Sequence, residues 1–120
     1  MQDNQSLSKK GTLRGLHYQL KPLSQGKLVR VTKGKVFDVI IDLRQKSETF
    51  ASWTSVILDH EIRNQIWIPE GFAHGFLTLS EEAIVEYKVT NYWAKDLDRT
   101  LIWNDSTIAI EWPNIKNFFE

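Results

Sequence analysis

The sequence contains no cysteine, which excludes disulfides, thiolate ligands and thiol nucleophiles. It also has no surplus of charge. Fifteen basic residues balance fifteen acidic ones, leaving no net basic field to draw in nucleic acid or an anionic membrane. An anionic ligand must then be held by local geometry. No apolar run approaches the roughly 20 residues of a membrane span, and none resembles the apolar part of a signal peptide. A soluble, cytoplasmic protein is therefore expected. Internal repeats, low-complexity tracts and interdomain linkers are missing too. A chain of 120 residues with 42% hydrophobic content is enough for one core, so a single domain over 1–120 is expected.

What is present is aromatic and strand-like. Five tryptophans, six phenylalanines and three tyrosines suit a β-rich core or a pocket that stacks rings. Period-two alternation dominates over any helical period. KLVRVTK (Lys27–Lys33) and KVFDVIIDL (Lys35–Leu43) flank Gly34, which reads as the turn of a hairpin. Phe37, Val39, Ile41 and Leu43 then share one face. SWTSVIL (Ser52–Leu58), GFLTL (Gly75–Leu79) and AIVEYKVT (Ala83–Thr90) give three further strands, the last two joined by a polar turn at Ser80–Glu82. NYWAKDLDRT (Asn91–Thr100) lacks clear alternation and reads as a loop or one helical turn. Short strands at this spacing predict an all-β sandwich or jelly roll.

Two clusters carry the residue types that chemistry needs. RGLHYQ (Arg14–Gln19) puts an arginine and a histidine into a strand, where a lone histidine is more often structural than catalytic. Strict alternation places Arg14 and His17 on opposite faces. Both can serve one pocket only if a bulge near Gly15 re-aims one of them. WIPEGFAHGF (Trp67–Phe76) turns at Pro69 and Gly71 and delivers His74 to the start of the next strand. Lys27 and Tyr87, taken singly, read as a solvated lysine and a core tyrosine.

Together these residues form a pattern. GTLRGLH (glycine, five residues, histidine) and PEGFAH (proline-x-glycine-x-x-histidine) resemble the two motifs of the cupin superfamily, a double-stranded β-helix or jelly roll. A metal-binding cupin has a histidine two residues after the first, then a glutamate. Here that position is Gln19 and no glutamate follows before Glu48, so too few ligands remain for a metal site and none is expected. QDNQSLSKKGTLRGLHYQ, QGKLVRVTKGKVFDVIIDLR, WIPEGFAHGFLTLSE and EYKVTNYW resemble the dTDP-4-dehydrorhamnose 3,5-epimerase family across nearly all of residues 2–113.

The resemblance implies a homodimeric, cofactor-independent isomerase. It would convert dTDP-4-dehydro-6-deoxyglucose to dTDP-4-dehydrorhamnose, a step toward surface polysaccharide. Inverting two carbons beside a ketone needs a base on one face, an acid on the other and a donor for the enolate oxygen. His17 matches the family's base, Tyr87 its acid and Lys27 the residue beside the C4 oxygen. The implied substrate-binding set is Gln2, Asp3 and Asn4 for the nucleotide, Arg14 for the diphosphate, His74 for the sugar, together with Gln19, Trp93 and Asp98. Trp93 stands where a tyrosine is more usual, and Asp98 where a glutamate is. Family chains also have strands ahead of the segment that begins here at Gln2. A further segment lies beyond Glu120, with an aspartate that orients the catalytic histidine; within this sequence Asp38 and Asp42 are the candidates for that task. Alternative readings are an epimerase acting at one carbon only and a nucleotide-sugar-binding remnant.

Overall fold

A computed structural model describes residues 2–114. Strands β1 (Gln2–Lys9), β3 (Lys27–Lys33), β6 (Gln65–Ile68) and β8 (Glu82–Val89) form a four-stranded sheet in the order β1-β8-β3-β6. Strands β2 (Leu13–Gln19), β4 (Lys35–Asp42), β5 (Trp53–Asp59), β7 (Phe72–Thr78) and β9 (Asp98–Thr100) form a five-stranded sheet in the order β5-β4-β7-β2-β9. Their pairings are antiparallel, and the sheets stack as a jelly roll, as the strand pattern predicts.

Alternation decides which side chains meet between the sheets. Val29, Val31, Val36, Ile68, Phe76 and Val85 interdigitate there. Each of these side chains contributes on the order of 1.5–3 kcal/mol when fully buried. The five-stranded sheet is covered on its other face as well. Phe37, Val39, Ile41 and Leu43 do share that face, joined by Leu16 and Ala73, and Leu101, Ile108, Ile110 and Trp112 pack over them.

The expected hairpin at Gly34 does not form. Gly34 takes φ +76°, but β3 and β4 part there into opposite sheets. A Cβ at this glycine would collide with the Glu82 carbonyl oxygen, so the chain turns hard against the β7–β8 connection. The strand β3 pairs with β8 and β6, and β4 with β7 and β5. Period two specifies a face, not a partner, and both strands had apolar faces to offer either sheet.

The segment Asn91–Thr100 is also more ordered than its sequence suggests. It forms a single 3-10 turn (Lys95–Leu97) and then β9, which pairs with β2 in the register His17 to Thr100, Tyr18 to Arg99 and Gln19 to Asp98.

Candidate active site

The irregularity expected near Gly15 is present. Arg14 pairs with Phe76 and His17 with His74, and the register shifts between these pairs. Three residue steps on β2 therefore span two on β7 (17 − 14 against 76 − 74), and the extra residue brings Arg14 and His17 to one face. Gly15, at φ +113°, allows this, and a Cβ there would lie 2.7 Å from both Gly75 Cα and the His74 carbonyl oxygen.

Both sheets feed the resulting site. A hollow of about 670 Å³ between them is lined by Arg14 and His17 of β2, His74 and Phe76 of β7, Lys27 of β3, Tyr87 of β8, and Ser6 of β1. A second hollow of about 370 Å³ is walled by Gln2, Asn4, Trp93 and Asp98, and again by His17, Lys27 and Tyr87. These three side chains thus stand where the two hollows meet.

Their environments differ. Burial of the His17 ring draws its pKa below the ordinary 6.5; Asp98 opposes this, while Lys27 and His74 add to it. The imidazole is thereby held neutral and able to accept a proton. Lys27 is buried, at 8% exposure, and its pKa is drawn down by burial against the pull of Asp38 and Asp98. Its Nζ lies 5.9 Å from the centroid of the Tyr87 ring, within cation–π range. The Tyr87 phenol is pushed up, by burial first and Asp98 third, with Arg14 opposing. It remains a proton donor at neutral pH.

Neither Asp38 nor Asp42 orients His17. Asp38 is fully buried and lies 2.7 Å from His74 Nε2, because Asp38 pairs with Phe76 in the β4–β7 ladder and so projects into the same interior as His74. Asp42 is held elsewhere, by Arg44, Ser47 and Thr49. Among the described residues the hydrogen-bond partner of His17 is Thr100, whose Oγ1 is 3.2 Å from Nδ1.

The remaining expected residues divide. Arg14 is steadied across the sandwich by β1, donating Nε–H to Ser8 Oγ at 2.8 Å. Gln2 and Asn4 face the second hollow and are linked to each other at 3.1 Å, while Gln2 Oε1 accepts the Trp93 backbone N–H at 3.0 Å. The Trp93 ring is 56% exposed at the mouth, free to stack on a ligand. Asp3 does not join them. Alternation along β1 turns it to the outer face, where it pairs with Lys88 at 3.1 Å. Gln19 is likewise not in either wall. Its amide donates to the Tyr92 carbonyl and accepts from Ala94 N–H, both at 3.0 Å, so it pins the Asn91–Thr100 segment rather than facing a ligand.

Residues that sequence reasoning missed are Thr100 and the apolar wall of Leu101, Ile102 and Trp103 in the larger hollow. A three-residue strand is too short to show a period, though Asp98 and Thr100 do stand two apart.

A jelly-roll sandwich with polar side chains from both sheets converging on a hollow between them defines a cupin-type fold. The family model described as dTDP-4-dehydrorhamnose 3,5-epimerase matches residues 1–119, and the chain belongs to that family. It is 56% identical over 113 residues to the dTDP-4-dehydrorhamnose 3,5-epimerase of Shigella flexneri, covering 94% of this chain and 62% of that one. A dTDP-6-deoxy-D-glucose-3,5-epimerase from Legionella pneumophila, solved with dTDP-4-keto-L-rhamnose, superposes with a TM-score of 0.95 at 48% identity, covering 100% of this chain and 63% of that one. The Bacillus anthracis dTDP-4-dehydrorhamnose 3,5-epimerase, solved with TDP and PPi, matches with a TM-score of 0.95 at 45% identity, over 100% and 69%. The chain thus spans less than two thirds of the curated relative's length.

Proposed function

We propose that the site epimerises C3 and C5 of dTDP-4-dehydro-6-deoxy-D-glucose to give dTDP-4-dehydro-L-rhamnose. The observation that supports this reading is the meeting of His17, Lys27 and Tyr87 where the two hollows join. One hollow suits a sugar beside His74, and the other a nucleotide beside Gln2, Asn4 and Trp93. Arg14 supplies a planar fork for the diphosphate.

Both carbons are α to the C4 ketone, so their protons are acidic once the carbonyl is polarised. His17 takes the proton. The C–H electron pair moves into the bond to C4, and the carbonyl π pair moves onto the C4 oxygen, where the Lys27 ammonium stabilises the enolate. Tyr87 then delivers its phenolic proton to the opposite face of the same carbon and the carbonyl re-forms. A proton returns from His17 to Tyr87 through solvent, and the cycle repeats at the second carbon. The net change is an isomerisation.

Solution NMR in D₂O tests the reading. Deuterium appearing at both C3 and C5 of the dTDP-ketosugar supports it; exchange at one carbon only points to a mono-epimerase, and none at all with dTDP still bound points to a binding module. His17→Ala should abolish exchange at both positions, while Tyr87→Phe should permit exchange and block completed inversion.

Within the same reading the chain works in the cytoplasm, where nucleotide sugars are made, and as a homodimer. Supporting the dimer, Leu7 and Trp67 on the outer face of the four-stranded sheet are 57% and 54% exposed, apolar surface that a second copy would cover. Light scattering of the protein and of Trp67→Glu tests this: a dimer that the variant splits into monomers is expected.

A further inference from the structure

Trp93 walls the smaller hollow from a stretch, residues 92–94, that belongs to no helix or strand. No ladder holds this backbone, so its polar groups turn to side chains. Gln19, the last residue of β2, meets most of them. Its amide nitrogen donates to the Tyr92 carbonyl at 3.0 Å and to the Leu23 carbonyl, while its oxygen accepts the Ala94 N–H at 3.0 Å. Both amide hydrogens are thus engaged. At 7% exposure these bonds are shielded from competing water.

The contacts bracket Trp93. The Tyr92 carbonyl and the Trp93 N–H belong to one rigid peptide plane, and Gln2 Oε1 accepts the second of them at 3.0 Å. The Ala94 N–H belongs to the next plane. With both planes held, φ and ψ of Trp93 are set, and with them the direction of its Cα–Cβ bond.

We propose that Gln19 is the positioning residue of Trp93: by fixing the two peptide planes around it, the buried amide presets the indole for stacking on the nucleotide base. The inference rests on the reading of Trp93 as the ring that stacks on that base.

A tie that merely fastens the segment to the fold would be redundant here. Upstream, Gln25 Nε2 donates to the Asn91 carbonyl at 2.8 Å and Asn91 Nδ2 to the Ser24 carbonyl at 2.7 Å. Downstream, Leu20 N–H donates to the Leu97 carbonyl at 2.9 Å. The segment is therefore anchored on both sides of Tyr92–Ala94, and what Gln19 adds is orientation at Trp93. Orientation matters because the indole is 56% exposed and a ligand would otherwise have to order it on binding. Apparent affinity falls in proportion to the fraction of molecules that hold the ring ready.

A double-mutant cycle read by calorimetric titration with dTDP tests this. Gln19→Met keeps the length of the side chain and removes its hydrogen bonds. It should weaken dTDP binding by roughly fivefold, about the net worth of one hydrogen bond, and raise KM for deuterium exchange similarly with kcat within about twofold. In a Trp93→Ala background the same change should cost less than about twofold, because the ring it acts through is gone. Gln19→Asn, polar but too short to span Leu23, Tyr92 and Ala94 together, serves in the same cycle if Gln19→Met does not fold. A folded Gln19 variant with parental dTDP affinity, or an equal loss in both backgrounds, would overturn the proposal. Parental affinity in Trp93→Ala alone would remove the stacking reading and the role of Gln19 with it. Coupling between the two positions in a protein that exchanges no deuterium would sink the epimerase reading and leave the role of Gln19 standing.

Discussion

His17 and His74 are register partners across the β2–β7 ladder, yet they are backed by opposite chemistry. His74 Nε2 meets the fully buried Asp38 carboxylate at 2.7 Å, and among the described residues His17 Nδ1 meets a hydroxyl. His74 is therefore tied into the core and His17 is not. Removing His74 leaves a buried carboxyl that already has one oxygen, Oδ1, without a hydrogen-bond partner among the described residues. His74→Ala should cost about 3–5 kcal/mol of stability, and Asp38→Asn, which preserves shape, should cost less, about 1–3 kcal/mol. Guanidinium unfolding measures both. A His74→Ala protein as stable as wild type would mean that the pair contributes nothing to folding.

The pH dependence of His17 follows from its lowered pKa. Between the folded value and the unfolded value of 6.5, the unfolded chain binds more protons than the native one. Stability linked to this ring is complete above pH 6.5 and is lost as pH falls through that window. The acidic limb of exchange activity should lie below 6.5 for the same reason. Asp98→Asn, which removes the opposing charge, should move it lower still. Titration of the His17 ring protons by NMR checks this, and a midpoint above the ordinary imidazole value would contradict it.

Gly15 has to remain glycine. A methyl there meets the β7 backbone at 2.7 Å and strains φ +113°, the latter alone costing about 1–3 kcal/mol. Gly15→Ala should lower Tm and, by pushing β2 from β7, reduce exchange more than its loss of stability explains. Calorimetry paired with the deuterium assay separates these effects.

Asp42 predicts an acid-sensitive loop remote from the chemistry. Hydrogen bonds from Arg44, Ser47 and Thr49 hold its carboxyl well below the usual carboxylate range. The associated stability is present above the unfolded value of 3.8 and is lost as pH falls toward the folded one. Asp42→Asn should flatten the acid limb of the unfolding curve while sparing dTDP binding. An acid limb identical to wild type would show that this carboxyl does not carry the effect.

The nucleotide-contacting stretch should split by parity. Asp3→Ala, on the outer face with Lys88, should leave dTDP affinity within about twofold, whereas Trp93→Ala should weaken it by roughly tenfold, since stacking on a base contributes about 1–3 kcal/mol. Calorimetric titration with dTDP decides, and a large loss for Asp3→Ala would place the nucleotide on the other side of β1.

Much of this molecule was legible because strand alternation and turn chemistry are local. The all-β class, the face shared by Phe37, Val39, Ile41 and Leu43, and the need for a bulge at Gly15 all follow from period two and from where glycine stands. Partners were not legible. The hairpin at Gly34 fails, Asp38 backs His74 rather than His17, and Gln19 bonds to backbone, since each outcome depends on which strands pair and in what register.

The sequence by itself determined which residue types line up on which face, and through its motifs the family and the candidates His17, Lys27 and Tyr87. Only the tertiary structure decided that these three stand between two hollows, that Asp3 looks away, and that Thr100 stands opposite His17. The physical reason is separation along the chain. Side chains 83 residues apart, as His17 and Thr100 are, meet because two backbones hydrogen-bond in one register, and nothing in the local pattern of either segment encodes that register.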